Sequence, residues 1–120
     1  MSTVLVIEDE EFLRNNIVKM LQLKGYTCHA AVNGIDGVAK AKQILPDIIV
    51  SDVMMPGIDG FEVLAQLKAD TATQNIPFIF LTARADAIDK NRGNDLGANK
   101  YLTKPFSIVD LLAAVKSLIG

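Results

Sequence analysis

The sequence has a single cysteine, no tryptophan and no long hydrophobic run. With Cys28 alone, no disulfide can form within the chain, which favours a reducing compartment. Apolar runs such as residues 4–7 and 78–81 are far too short to span a bilayer. The N-terminus has neither the basic nor the apolar region of a signal peptide. We therefore expect a soluble, cytoplasmic domain that does not bind a membrane.

The sequence also lacks a large excess of charge of either sign. Its 12 basic residues nearly balance its 14 acidic ones, and the net charge is −2. The sequence thus offers no basic footprint for direct nucleic acid binding. Half of the residues are hydrophobic and 22% are charged, which is typical of a globular protein. A chain of 120 residues can bury one sizeable core, and we expect one domain over residues 1–120.

Short apolar segments with strand-like composition alternate with longer amphipathic stretches. The strand-like segments are residues 4–7, 26–32, 47–51, 77–81 and 100–103. The first, third and fourth are apolar, as expected for central parallel strands covered on both faces. The second and fifth are more polar, which suits the edges of a sheet.

The amphipathic stretches are spaced like helices with one apolar face. The faces of the first two helices are expected to be Leu13, Ile17, Met20 and Leu21, and Ile35, Val38, Ala39 and Leu45. Asp59 and Ser107 should cap the third and the last helix. The helix expected over residues 85–97 is the weakest, because Gly93 in its interior costs roughly 1 kcal/mol. The order is (βα)5, for which a parallel sheet is the default.

Polar residues follow four of the five strands. Strand one ends in Glu8 and Asp9, strand three in Asp52 and strand four in Thr82, and Lys104 follows strand five. Because ligands bind at the carboxyl ends of the strands in open α/β sheets, we expect these side chains to converge on one site.

Three carboxylates in one pocket repel one another unless a cation joins them, and hard oxygen ligands suit Mg²⁺. A carboxylate such as Asp52 can attack phosphorus and form an acyl phosphate. It needs no general base because it is ionised at neutral pH. Lys104 and Thr82 would bind the phosphoryl oxygens, since charge neutralisation and positioning do most of the work in phosphoryl transfer.

Four segments together carry a family resemblance. They read VLVIEDE at residues 4–10, DIIVSDVMMPG at residues 47–57, LTA at residues 81–83 and KPF at residues 104–106. In this order the set resembles the receiver domain of bacterial two-component response regulators, over essentially the whole chain. The resemblance implies a doubly wound, flavodoxin-like α/β fold with five parallel strands in the order 2-1-3-4-5.

The resemblance also implies roles for the residues at the strand ends. Asp52 is the phosphoacceptor, and Thr82 and Lys104 contact the phosphoryl group. Tyr101 corresponds to an aromatic switch residue that changes rotamer with Thr82, and the bond between Lys104 and Pro105 is expected to be cis. The implied ligands of Mg²⁺ (or Mn²⁺) are Asp9, Asp52 and the backbone carbonyl of Met54, with Glu8 acting through water.

The phosphodonor implied by the resemblance is a phosphohistidine on a histidine kinase or a histidine phosphotransfer protein. Phosphorylation would shift an equilibrium between two conformers and so signal to a downstream protein or output domain. Such a protein is not an enzyme in the usual sense, because it catalyses only its own phosphorylation and dephosphorylation. Met54 and Arg84 are expected to set the lifetime of the phosphorylated form, and the helix over residues 85–97 to be the mobile signalling element.

Other functions remain open at this stage. A flavin-binding electron carrier would need a phosphate-binding loop after strand one, where this chain is acidic at residues 8–11. A phosphatase of the haloacid dehalogenase type would need a second Asp where Met54 stands. A receiver-fold binding module independent of phosphorylation is disfavoured by the joint presence of Asp9, Asp52, Thr82 and Lys104.

Single residues have alternatives as well. Asp52 could be a turn residue, Thr82 a helix cap, Lys104 a surface lysine, and Tyr101 a packing residue. We expect Glu10 and Glu11 to be a solvated acidic face at the positive end of the first helix dipole.

Overall fold

The computed structural model describes residues 2–83 and 97–119. Among these residues, five strands form one parallel sheet in the order β2-β1-β3-β4-β5. The strands are β1 (Thr3–Ile7), β2 (Thr27–Ala31), β3 (Ile48–Asp52), β4 (Phe78–Thr82) and β5 (Lys100–Thr103). The predicted fold class and strand order are therefore confirmed, with the apolar strands β1, β3 and β4 in the centre.

Helices cover both faces of this sheet. Those within the described ranges are α1 (Glu11–Leu23), α2 (Gly34–Ile44), α3 (Gly60–Lys68) and α4 (Ile108–Ile119). The helix predicted over residues 85–97, including Gly93, lies outside the described residues except for Gly97, and so does Arg84. Within the described part of the chain, no helix has the length and apolar character needed to cross a membrane.

The core has two layers because neighbouring side chains of a strand point to opposite faces of the sheet. On one face, strand residues such as Leu5, Ile49 and Phe80 pack with buried residues of α2 and α3. On the other face, residues such as Val6 and Val50 pack with α1 and α4. This burial on both sides explains why the central strands are apolar without alternation.

The buried face of α2 differs from the predicted one. Ile35 is 67% exposed, Ala39 is exposed, and Leu45 lies beyond the helix end with a left-handed φ of 52°. The buried residues of α2 are Gly34, Gly37, Val38 and Ala41. A Cβ atom on Gly37 would come within 2.5 Å of the Ile7 side chain, so the helix packs closely through positions without side chains.

All four described helices begin with a side-chain cap, and Asn33 caps α2 by accepting a hydrogen bond of 2.8 Å from the Asp36 N–H. Asp59 accepts a hydrogen bond of 2.9 Å from the Glu62 N–H, and Ser107 accepts one of 3.0 Å from the Asp110 N–H, which confirms both predicted caps. Glu10 caps α1 by accepting from the N–H groups of Phe12 and Leu13, at 3.2 and 2.7 Å. The interpretation of Glu10 as only part of a solvated acidic face was therefore incomplete.

Candidate functional site

The end of β1 places two carboxylates at the rim of the sheet. Glu8 is fully buried, and its backbone N–H donates to the Ala31 carbonyl at 3.1 Å, next to the end of β2. One Glu8 carboxylate oxygen, Oε2, accepts a hydrogen bond of 3.2 Å from the Glu10 N–H. Asp9, the next residue, is exposed. The acidic pair therefore consists of one buried and one water-accessible carboxylate.

Asp52 is the last residue of β3 and is 7% exposed. Its Oδ1 accepts a hydrogen bond of 2.8 Å from the Val53 N–H, while its Oδ2 lies 3.3 Å from the Lys104 ammonium. Gly60, at the start of α3, packs so closely that a Cβ atom there would collide with the Asp52 carbonyl oxygen. Strand β3 and helix α3 thus fix the backbone of Asp52 and leave one carboxylate oxygen facing Lys104.

Lys104 follows β5 and reaches across the rim of the sheet. Its backbone N–H donates to the Thr82 carbonyl at 2.7 Å, and the peptide bond to Pro105 is cis. Its Nζ lies 3.0 Å from Glu8 Oε1 and 3.3 Å from Asp52 Oδ2. The lysine therefore joins residues that are far apart in the sequence and come from three different strand ends.

The three acidic residues that the sequence singled out lie together. Glu8, Asp9 and Asp52 each offer a carboxylate oxygen, and these atoms lie within 4.8 Å of one another. One ammonium group cannot balance three carboxylates, and oxygen donors at this density suit a hard divalent cation such as Mg²⁺. The residues therefore fit the predicted metal, with the exposed Asp9 on the side open to water.

Burial and charge act in opposite directions on the groups of this site. Burial raises the pKa of Glu8 and the Asp52 charge adds to that, whereas the Lys104 ammonium and the Glu10 N–H oppose it. Burial alone would lower the pKa of Lys104, but the neighbouring Glu8 and Asp52 carboxylates outweigh it and raise that pKa above its usual value. Lys104 is consequently a charged ammonium at neutral pH.

The remaining predicted residues are Thr82, Tyr101 and Met54. Thr82 is the last residue of β4 and is 2% exposed. Tyr101 lies opposite Phe80 in the β4–β5 register, with ring centroids 5.3 Å apart, and is half-buried. Met54 comes two residues after Asp52, and its side chain is 60% exposed. The switch role of Tyr101 and the ligand role of the Met54 carbonyl stay predictions.

Arg14 is a residue of the site that the sequence reasoning missed. Its Nη1 donates to the backbone carbonyls of Glu8 at 2.9 Å and Asp9 at 3.4 Å, from the first half of α1. An arginine within two helical turns of an acidic pair is a visible signal, but its target is the main chain rather than the carboxylates, and the sequence does not show that.

Comparisons with known proteins show which family the chain is similar to. Residues 4–116 match the family model described as response regulator receiver domain. The chain is 41% identical to the DNA-binding dual master transcriptional regulator RpaA of Synechocystis, covering 99% of this chain and 49% of RpaA. It is 36% identical to protein PilH of Pseudomonas aeruginosa, covering 100% of this chain and 99% of PilH.

Among solved structures, the chain is similar to the Vibrio cholerae chemotaxis protein CheY4, with a TM-score of 0.94 and 31% identity over 98% of both chains. The chain spans about half the length of RpaA, so this match does not establish the activity of the whole RpaA protein for this chain. From the family match and the shared fold, we conclude that the chain belongs to the response regulator receiver domain family.

Proposed function

We propose that this protein is a phosphoacceptor switch in which Asp52 takes a phosphoryl group from a phosphohistidine. The observation that carries the proposal is the position of Lys104, whose Nζ lies between Glu8 Oε1 and Asp52 Oδ2 at 3.0 and 3.3 Å. The Asp9 carboxylate lies in the same cluster. Receiver domains are signalling modules, and this site has the residues that phosphoryl transfer to a carboxylate requires.

The chemistry of the proposal follows from the two oxygens of Asp52. Oδ1 is held by the Val53 N–H, so Oδ2 attacks the phosphorus atom. A new O–P bond forms, the P–N bond of the phosphohistidine breaks, and its electron pair returns to the imidazole. The Lys104 ammonium already lies next to Oδ2, and it would stabilise the negative charge on the phosphoryl oxygens.

The proposed metal ligands are the residues named from the sequence. Asp9, Asp52 and the Met54 carbonyl would hold Mg²⁺ (or Mn²⁺), with Glu8 acting through water. When bound, the cation neutralises charge on the transferring phosphoryl oxygens. Thr82 would supply a hydroxyl to these oxygens from the end of β4.

The partners and the context of the protein belong to the same proposal. The donor would be a histidine kinase or a histidine phosphotransfer protein, and the recipient of the signal a downstream protein or an output domain. The name of RpaA includes DNA binding. The net charge of this chain is −2, so it has no overall positive charge that would attract nucleic acid, and we do not propose direct nucleic acid binding. A cytoplasmic location and a single domain over residues 1–120 stay predictions.

Intact-mass measurement after incubation with Mg²⁺ and acetyl phosphate tests the proposal. We expect the mass of the wild type to increase by one phosphoryl group and that of Asp52→Asn to stay unchanged. Asp110→Asn is the matched control, because Asp110 is an exposed aspartate in the first turn of α4 that does not belong to the carboxylate cluster. It should gain the phosphoryl group as the wild type does.

The outcome also separates the proposal from a receiver-fold binding module that works without phosphorylation. If neither acetyl phosphate nor a phosphohistidine protein modifies the wild type, the switch proposal fails. Equal binding of a downstream partner by the wild type and Asp52→Asn, with or without donor, would then favour the binding module.

A further inference from the structure

The loop between β1 and α1 carries Glu8 and Asp9, and hydrogen bonds from α1 hold it in place. The Glu10 side chain caps the helix, and the Glu10 N–H donates to the Glu8 carboxylate at 3.2 Å. Arg14 then folds back from the helix, and its Nη1 donates to the carbonyls of Glu8 and Asp9 at 2.9 and 3.4 Å. The half-buried Arg14 thus contacts the main chain of both acidic residues.

Asp9 depends on this main-chain anchoring more than its neighbours do. Glu8 is held by Lys104 and by the Glu10 N–H, and Asp52 by Lys104 and by the Val53 N–H. Among the described residues, no hydrogen bond ends on the carboxylate of Asp9, which is exposed. The direction of this carboxylate therefore follows from the backbone that bears it.

We propose that Arg14 is a positioning residue for the divalent cation of the site at which the carboxylates of Glu8, Asp9 and Asp52 converge. By donating to two successive carbonyls, it fixes the peptide groups from which the first two carboxylates project. Arginine suits this task because its planar guanidinium carries several donors in a fixed geometry and stays charged. This inference rests on the metal site of the proposed function and adds a residue that contacts neither the metal nor the phosphoryl group.

The sign of the effect distinguishes positioning from plain electrostatics. If Arg14 acted only as a positive charge near the site, its removal would strengthen cation binding, because like charges repel. If it positions the acidic pair, its removal weakens binding. Lys keeps the charge but replaces the planar fork with a single ammonium, so Arg14→Lys should weaken binding as well, although its charge is unchanged.

Titration of the full chain with Mn²⁺, with free Mn²⁺ counted by electron paramagnetic resonance, measures the affinity directly. We expect Arg14→Gln and Arg14→Lys to raise the Kd about tenfold, the lower end of what is typical when support behind metal ligands is lost. Lys19→Gln is the matched control, since it removes one positive charge from an exposed position on the same helix. Its Kd should stay within about twofold of the wild type, which is what screened surface charge allows.

A second readout separates positioning from a general loss of structure. For a positioning role, phosphorylation of the Arg14 variants by acetyl phosphate should recover to the wild-type rate at saturating Mg²⁺. Their urea midpoints should still rise with added Mg²⁺, but less than that of the wild type, because a higher Kd lowers the stabilisation that a given Mg²⁺ concentration provides. A phosphorylation rate that saturating Mg²⁺ does not restore would overturn the inference.

The two proposals fail in different ways. If the wild type itself binds no Mn²⁺, the metal site of the proposed function is wrong, and the role of Arg14 falls with it. If the wild type binds Mn²⁺ and both Arg14 variants bind it equally or more tightly, only the positioning role is overturned.

Discussion

At the scale of single residues, the site depends on a balance around Lys104. Glu8 and Asp52 are almost completely buried, and one ammonium group contacts both at 3.0 and 3.3 Å. Burying a carboxylate is costly unless a partner compensates for the lost hydration. Lys104 therefore has a structural role in the metal-free protein in addition to its proposed contact with the phosphoryl group.

Lys104→Met should destabilise the metal-free protein at neutral pH by about 3 kcal/mol, because it leaves two buried carboxylates without their cation. Loss of the Lys104 hydrogen bond would raise the pKa of Glu8 further above its ordinary value. The folded variant then binds protons more readily than the unfolded chain, so the deficit should shrink as the pH falls from neutral through this raised pKa.

Urea denaturation at a series of pH values, without divalent cation, measures this effect. Lys19→Met serves as control because Lys19 is exposed on α1, and its stability should follow the wild type at each pH. A Lys104→Met protein as stable as the wild type at pH 7 would contradict the structural role of the lysine.

The sequence located Asp9, Asp52 and Lys104 at the site because parallel strands bring their carboxyl ends to one rim. It did not show that Glu8 is fully buried or that Glu10 caps α1. Both features depend on the path of the loop between β1 and α1, over which the side chains of Glu8 and Glu10 reach backbone N–H groups two and three residues away. Local paths of this kind are not encoded in the order of strands and helices.

At the scale of the elements, glycines determine how closely the helices approach the sheet. The face of α2 was predicted from Ile35, yet Gly34 and Gly37 pack inward and Ile35 points to solvent. The buried face of a helix is predicted from the spacing of its apolar side chains, and glycine has none. For a helix that packs through glycine, the predicted face is therefore rotated about the helix axis from the face that is buried. Gly60 has the same function where α3 meets the end of β3.

Gly60→Ala should lower the free energy of unfolding by about 2 kcal/mol, because the new Cβ would collide with the Asp52 carbonyl and come within 2.9 Å of the Phe80 ring. Relief of this collision would move α3 and the Asp52 backbone apart and so displace the proposed phosphoacceptor. We therefore expect slower phosphorylation by acetyl phosphate, followed by intact mass, together with a lower urea midpoint.

Gly25→Ala is the matched control for this substitution. Gly25 has a φ of +94° but open space around it, so an added Cβ strains only the local backbone, by about 1 kcal/mol. This variant should be less stable than the wild type and yet accept the phosphoryl group at the normal rate. Equal phosphorylation rates for both variants would argue against the close contact of α3 with Asp52.

At the scale of the whole molecule, the strand order brings the site together. The alternation of segments was enough to predict a parallel (βα)5 sheet, but the order β2-β1-β3-β4-β5 followed from the family resemblance and not from periodicity. Because β1 lies next to β3, the acidic pair and Asp52 meet across a single strand spacing. The adjacent β4 and β5 then bring Thr82 and Lys104 to the same rim.

This convergence predicts that a divalent cation stabilises the entire fold. A ligand that binds only the folded state adds about 2.7 kcal/mol when its concentration is one hundred times its Kd. The carboxylates of Glu8, Asp9 and Asp52 converge only after β1 and β3 have paired, so the unfolded chain offers no comparable site.

We expect the urea midpoint to rise with Mg²⁺ concentration in the wild type and to fall back when a chelator removes the cation. Asp9→Asn, which removes the exposed ligand without unpairing Lys104, should abolish the Mg²⁺-dependent rise, whereas Asp110→Asn should retain it. A midpoint that is independent of Mg²⁺ in the wild type would show that the three carboxylates do not hold the cation, however close they lie.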